Sequence, residues 1–222
     1  MSDQTPAKAA ASTLPSIAVL ISGRGSNLQA LIDAAAAGRL RARVRLVIAN
    51  RADAAGLERA RAMGIETRVL AHGAYDSRAA FDAALVGILK DCQVDLVCLA
   101  GFMRLLGPVF LAGFPERVLN IHPSLLPAFP GVDAQKQALE HGVKVTGATV
   151  HFVTPELDAG PIVLQAAVPV LDDDTEDALS ARILEVEHEI YPKAVQRVLH
   201  GDWHMSGRRV VFASQPAADP RG

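Results

Sequence analysis

Ile17-Ala18-Val19-Leu20-Ile21-Ser22-Gly23-Arg24-Gly25-Ser26-Asn27-Leu28 is the stretch that decides the fold. A continuous aliphatic run stopped by Ser22-Gly23 reads as a short strand buried on both faces. The spacing then changes. Leu28, Leu31 and Ile32 recur at helical intervals, and Gly38 stands where a left-handed residue would close that helix. A buried strand feeding a helix through a glycine loop is the opening of a β-α-β unit.

The same alternation continues outward from this unit. A second strand is expected over 44–49 and a helix over 54–63 closed by Gly64. A third strand follows over 65–70, then a helix capped by Asp76 and running to residue 91. Residues 94–100 and 118–121 give two more buried strands. Beyond residue 143 the segments 144–152 and 162–170 have no helix between them, so they are expected as antiparallel strands added to the sheet edge. A final helix over 175–200 opens on Asp172-Asp173-Asp174, whose charge favours a helix N-terminus. The expectation is an α/β protein: one domain over 16–212, with a mostly parallel twisted sheet and helices on both faces. Residues 1–15 and 213–222 are poor in core-forming side chains and are expected as a disordered leader and tail.

Composition removes several functional classes. The chain has 222 residues, with 22 Lys+Arg against 24 Asp+Glu, a net charge of −2, so it lacks the basic balance of a nucleic-acid binder. No apolar run approaches the ~18–20 residues that span a bilayer. Cys92 and Cys98 fit neither a disulfide framework nor a zinc site, which together with the lack of a targeting segment points to a cytoplasmic protein.

Ligands of open α/β sheets bind at the carboxyl ends of the strands, and three segments there carry chemistry. In Ser22-Gly23-Arg24-Gly25-Ser26-Asn27 the glycines allow close backbone approach, and the first helical amides point at whatever anion lies there. The third glycine and the acidic residue of a dinucleotide site are missing, as is the Lys-Ser/Thr of a Walker loop, so a single phosphate monoester is favoured. A turn in which Ser26 and Asn27 only cap the helix is the other reading. In Asn120-Ile121-His122, strand alternation puts Asn120 and His122 on one face. An amide donor beside a histidine suits a reaction that builds an oxyanion at a carbonyl, although a polar strand end would look the same. Asp158 lies in a loop between two strands; near His122 its carboxylate would support a positive imidazole, but spacing alone does not bring the two together.

Taken together, the segments Ile21-Ser22-Gly23-Arg24-Gly25-Ser26-Asn27-Leu28, Ala100-Gly101-Phe102-Met103-Arg104, Asn120-Ile121-His122-Pro123-Ser124-Leu125-Leu126-Pro127 and the 147–161 signature resemble the phosphoribosylglycinamide formyltransferases, folate-dependent enzymes of purine biosynthesis. The resemblance spans about 16–205. It implies a Rossmann-like formyltransferase fold and transfer of a formyl group from 10-formyltetrahydrofolate, as co-substrate, to the amine of glycinamide ribonucleotide. By that similarity Asn120, His122 and Asp158 form a catalytic trio. Gly25, Ser26 and Asn27 hold the phosphate, and Glu187 holds the glycinamide portion. Met103, Arg104, Leu105 and Leu106, with Arg78 and Asn120, receive the folate. No metal is implied, and the partners are small molecules, with neither nucleic acid nor membrane; a homodimer stays open. Two positions depart from the family pattern: Leu184, where relatives carry a polar residue, and Gln135, where they often carry His.

Other histidines are less placed. His72, His141, His200 and His204 read as surface residues, while His151 on a strand and His188 beside Glu187 could face the cleft. Methionyl-tRNA formyltransferase and formyltetrahydrofolate deformylase share the chemistry but carry further domains for which this length leaves no expected room. A binder of phosphorylated metabolites would not need the trio.

Overall fold

The computed structural model describes residues 14–213; apart from Leu14, Pro15 and Ala213, the expected leader and tail lie outside them. Parallel strands β1 (Ser16–Ile21), β2 (Arg43–Ala49), β3 (Glu66–Val69), β4 (Leu96–Leu99) and β5 (Val118–His122) form the first half of the sheet. The aliphatic side chains of β1 point alternately into two cores, Ile17, Val19 and Ile21 into one and Ala18 and Leu20 into the other. That is why the sequence is continuous there rather than alternating. Crossovers run through α1 (Ser26–Ala36), α2 (Gly56–Ala62), α3 (Arg78–Asp91) and α4 (Pro108–Gly113).

After β5 come α5 (Ala134–Glu140) and the antiparallel strands β6 (Val145–Phe152) and β7 (Ile162–Pro169). The 25-residue helix α6 (Glu176–His200) and a hairpin of β8 (Trp203–Ser206) and β9 (Arg209–Phe212) complete the chain. The sheet order is β3-β2-β1-β4-β5-β6-β7-β9-β8. Buried residues of α1, α2, α5 and α6 pack on one face and those of α3 and α4 on the other, so the expected two-sided α/β layering holds.

Glycine closes α1 and α2 as expected: Gly38 and Gly64 have φ of 71° and 68°, and their amides donate back to Ala35 and Arg61. The cap of α3 differs by one residue. Ser77, not Asp76, holds the cap position: it is extended and accepts the Ala80 amide on its hydroxyl at 3.1 Å. Thr175 caps α6 in the same way, while Asp174 of the acidic run is engaged by Arg182 at 2.7 Å. No helix among the described residues is long and apolar enough to cross a membrane.

Candidate active site

Strand order reverses between β1 and β4, and the loops leaving those strands diverge there, which opens a cleft at their carboxyl ends. The two loops are stitched together at its floor. The Ser22 amide donates to the Gly101 carbonyl at 3.1 Å, and the Met103 amide donates to Ser22 Oγ at 2.8 Å. The cleft holds about 900 Å³ and is lined by Gly23 to Asn27, Leu99 to Leu106, Asn120 to Pro123, the 153–158 loop and the inner face of α6. A larger hollow, of about 1400 Å³, lies at the other end of the sheet around Arg43, Asp95, Arg117 and Trp203. It contains none of the chemistry-bearing motifs.

The residues predicted as a trio meet in the cleft. Asn120 and His122 project from the end of β5, and the loop after β6 folds back so that Asp158 Oδ2 lies 3.5 Å from His122 Nδ1. Both side chains are buried, with 6% and 10% exposure, so their interaction is little screened by solvent. His122 Nε2 lies 2.8 Å from the Phe129 carbonyl oxygen. A carbonyl only accepts, so this nitrogen carries a proton, and Nδ1 is the nitrogen that faces the carboxylate.

His151, on β6, is a further member that the sequence left unplaced. Its Nδ1 donates to the Phe152 carbonyl at 2.9 Å, which leaves Nε2 to accept from Asn120 Nδ2 at 3.2 Å. Burial holds the His151 pKa below the usual range, so it is neutral and acts as an acceptor, despite Asp158 Oδ1 at 3.7 Å. The Asn120 amide is thereby turned with its nitrogen inward, and its second N–H remains to serve the cleft. Of the other candidate, His188, the structure makes no cleft residue: it does not line the cavity, and burial lowers its pKa beside Asp33.

At the opposite wall, Gly25 is the left-handed residue before α1, with φ of 73°, and a Cβ there would stand 2.7 Å from Gly56 Cα. No side chain caps the helix, so its first amides stay directed at the cleft. Asn27 turns its side chain elsewhere: Nδ2 donates to Glu187 Oε2 at 2.8 Å, across 160 residues of sequence. Burial pushes the Glu187 carboxyl up to about 7, and the Asn27 hydrogen bond opposes that only in part. Asn27 Oδ1 is buried with no protein partner. Such an atom is costly unless something donates to it.

These features match known proteins. Residues 16–195 fit the formyl transferase family. The chain belongs to that family. This formyl transferase is 50% identical over 192 residues to phosphoribosylglycinamide formyltransferase of Escherichia coli, covering 86% of this chain and 88% of that one. It is 52% identical to part of the human trifunctional purine biosynthetic protein adenosine-3, matching 83% of this chain but only 18% of that one. The crystal structure of glycinamide ribonucleotide transformylase 1 from Symbiobacterium toebii superimposes with a TM-score of 0.89 at 57% identity, over 90% of this chain and 95% of that one.

On the third wall of this family member, Met103 and Leu105 are exposed, 71% and 54%, while Leu106 is buried. Arg104 lies with Cζ 4.7 Å over the Phe81 ring. Arg78 does not line the cleft. It is exposed, with its stem beside Gly107 at the outer end of this wall. Leu184 and Gln135 both line the cavity, so the two departures from the family pattern fall on its surface. Among the described residues no group of three or more His, Cys, Asp or Glu is arranged to hold a metal ion.

Proposed function

We propose that this chain transfers the formyl group of 10-formyltetrahydrofolate to the amine of 5′-phosphoribosylglycinamide, a step of purine biosynthesis. The observation that carries this reading is the convergence of the Asn120–His151 pair and the His122–Asp158 pair on one cleft whose far wall is the Asn27–Glu187 pair.

Gly25, Ser26 and the backbone of Asn27 bind the phosphate at the start of α1, where the helix dipole favours an anion. Glu187 and the unpartnered Asn27 Oδ1 accept N–H groups from the glycinamide portion, which answers why two acceptors are buried side by side. The exposed Met103 and Leu105, with Leu106 and Arg104, form the wall that receives the folate, and Arg78 stands at its outer end. Attack of the neutral amine on the formyl carbon makes a tetrahedral oxyanion. Asn120 donates its free N–H to that oxygen, and His122, protonated at Nδ1, supplies positive charge beside it. One such donor contributes on the order of 3–4 kcal/mol to the transition state. Asp158 holds the imidazolium in place and takes part in moving the amine proton towards the leaving folate nitrogen.

The test is to incubate the protein with glycinamide ribonucleotide and a 10-formylfolate. Formylated ribonucleotide and deformylated folate appear in equal amounts, and His122→Ala removes at least about a hundredfold of turnover while sparing ribonucleotide binding. Folate deformylation that runs equally well without the ribonucleotide would refute the transfer reading and indicate hydrolysis.

A further inference from the structure

His122 and Asp158 are each tied to the same short turn, residues 128–131. The Phe129 carbonyl accepts from His122 Nε2 at 2.8 Å, and the Gly131 amide donates to Asp158 Oδ2 at 2.8 Å. The turn is not a relaxed one. Phe129 has φ of 53°, in the left-handed region that side chains other than glycine and asparagine rarely adopt. Such a conformation persists only where its surroundings impose it.

Ser124 holds the turn from inside the protein. Its side chain is fully buried, and Oγ donates to the Ala128 carbonyl at 2.5 Å, one residue before Phe129. Ser124 is itself held from behind: its carbonyl accepts from Thr149 Oγ1 at 2.6 Å. Thr149 Oγ1 in turn accepts from the Leu126 amide at 3.1 Å and from Gln165 Nε2 at 2.9 Å. This chain of polar groups runs from the exposed Gln165 on β7 through the buried Thr149 of β6 and the buried Ser124 to the turn, and ends on the imidazole.

We infer that Ser124 is a positioning residue for the reaction: it locks the turn whose Phe129 carbonyl keeps the proton on His122 Nε2 and so directs Nδ1 to Asp158 and the cleft. The inference rests on the role given to His122 and Asp158 above. If the turn relaxes, Nε2 loses its acceptor. The neutral ring then has no reason to prefer the Nε2–H tautomer, and the Nδ1 site of proton exchange is no longer aimed. The Gly131–Asp158 bond loosens with it, so both members are disturbed by one hydroxyl that touches neither.

The deciding measurement is a long-range ¹⁵N–¹H correlation spectrum of the imidazole side chains, with kinetics on the same samples. In the wild-type protein, in the neutral form of the ring, His122 shows the Nε2–H tautomer. In Ser124→Ala that preference is lost, kcat falls roughly tenfold or more, and both KM values stay within about twofold. Ser124→Cys, which keeps a weak donor of similar size, restores part of both. An Nδ1–H tautomer in the wild type overturns the inference, even if Ser124→Ala fails to fold. An unchanged kcat in Ser124→Ala overturns it too, as does a fall in stability and in both substrate affinities with the tautomer unaltered. Wild-type protein without any formyl transfer would instead overturn the reading of the preceding section.

Discussion

Replacing Glu187 by glutamine isolates the cost of one buried charge. The carboxyl is almost fully buried in α6 and is pushed from 4.5 up to about 7, mainly by desolvation, with one hydrogen bond from Asn27 working the other way. Between pH 4.5 and 7 the folded chain therefore holds this proton more tightly than the unfolded chain, so the stability present below pH 4.5 is lost as pH rises through about 7. A rise from 4.5 to about 7, at roughly 1.4 kcal/mol per pH unit, corresponds to about 3 kcal/mol. The glutamine side chain would keep the shape and, through its carbonyl, the acceptor for Asn27, but it never ionises. Glu187→Gln should thus unfold like wild type at pH 4.5 and be more stable by up to about 3 kcal/mol at pH 8, which for a chain of this size is roughly 6–12 °C in Tm. Thermal and guanidinium unfolding at both pH values measure it. The variant should at the same time bind the ribonucleotide more weakly, and wild-type binding near pH 6 should release a proton, seen as a buffer-dependent enthalpy. A gain of equal size at both pH values, or a loss at pH 8, would refute the argument that an uncompensated charge sits there.

Other perturbations separate the remaining parts. His151→Ala removes the acceptor that turns the Asn120 amide, so kcat should fall roughly tenfold or more with little change in ribonucleotide KM; equal kcat values would remove His151 from the site. Gly25→Ala places a Cβ 2.7 Å from Gly56 Cα at a left-handed residue, and should cost about 2–3 kcal/mol and raise the KM of the phosphorylated substrate, read by denaturation and steady-state kinetics. Tyr191→Phe removes a hydroxyl that donates to the carbonyls of Leu99 at 2.9 Å and Leu119 at 3.1 Å, and guanidinium unfolding should show a loss of about 1–3 kcal/mol.

The parallel half of the sheet was legible because both its faces are covered, which forces unbroken aliphatic runs such as Val19-Leu20-Ile21 and leaves glycine at the helix ends. Asp76 and Ser77 are equally good caps by residue type, and only the structure decides between them: it is the Ser77 hydroxyl that accepts the Ala80 amide. Helix α5 buries little more than Ala134 and Ala138, too weak an apolar stripe to stand out, and α4 is a single short segment, Pro108–Gly113. The hairpin over residues 203–212 carried a signal in Gly207, whose φ is 59°, preceded by alternating half-buried and exposed residues in β8 and followed by the half-buried run Val210-Val211-Phe212. In the site, Asn120 and His122 could be placed on one face from strand period alone. The pairing of Asn27 with Glu187 could not, because no local spacing links residues so distant in sequence. The same holds for His151, whose task follows from which ring nitrogen the Phe152 carbonyl occupies.

Helix α6 has a consequence for how the molecule comes apart. At 1.5 Å per residue its 25 residues span about 37 Å. Over that distance it supplies Glu187 to the cleft, anchors Tyr191 under β4 and β5, and packs on α1, β6 and β7. It thus bolts the parallel half of the sheet to the antiparallel half. Neither half can open without breaking the helix or exposing its core face, so sub-global opening is suppressed and amide protons of β1 and β6 should exchange with a common free energy. A destabilising change at the far end of α6, such as one at Val195, would then be felt in the occupancy of the ligand cleft, through the shared cost of opening rather than through any movement of its walls.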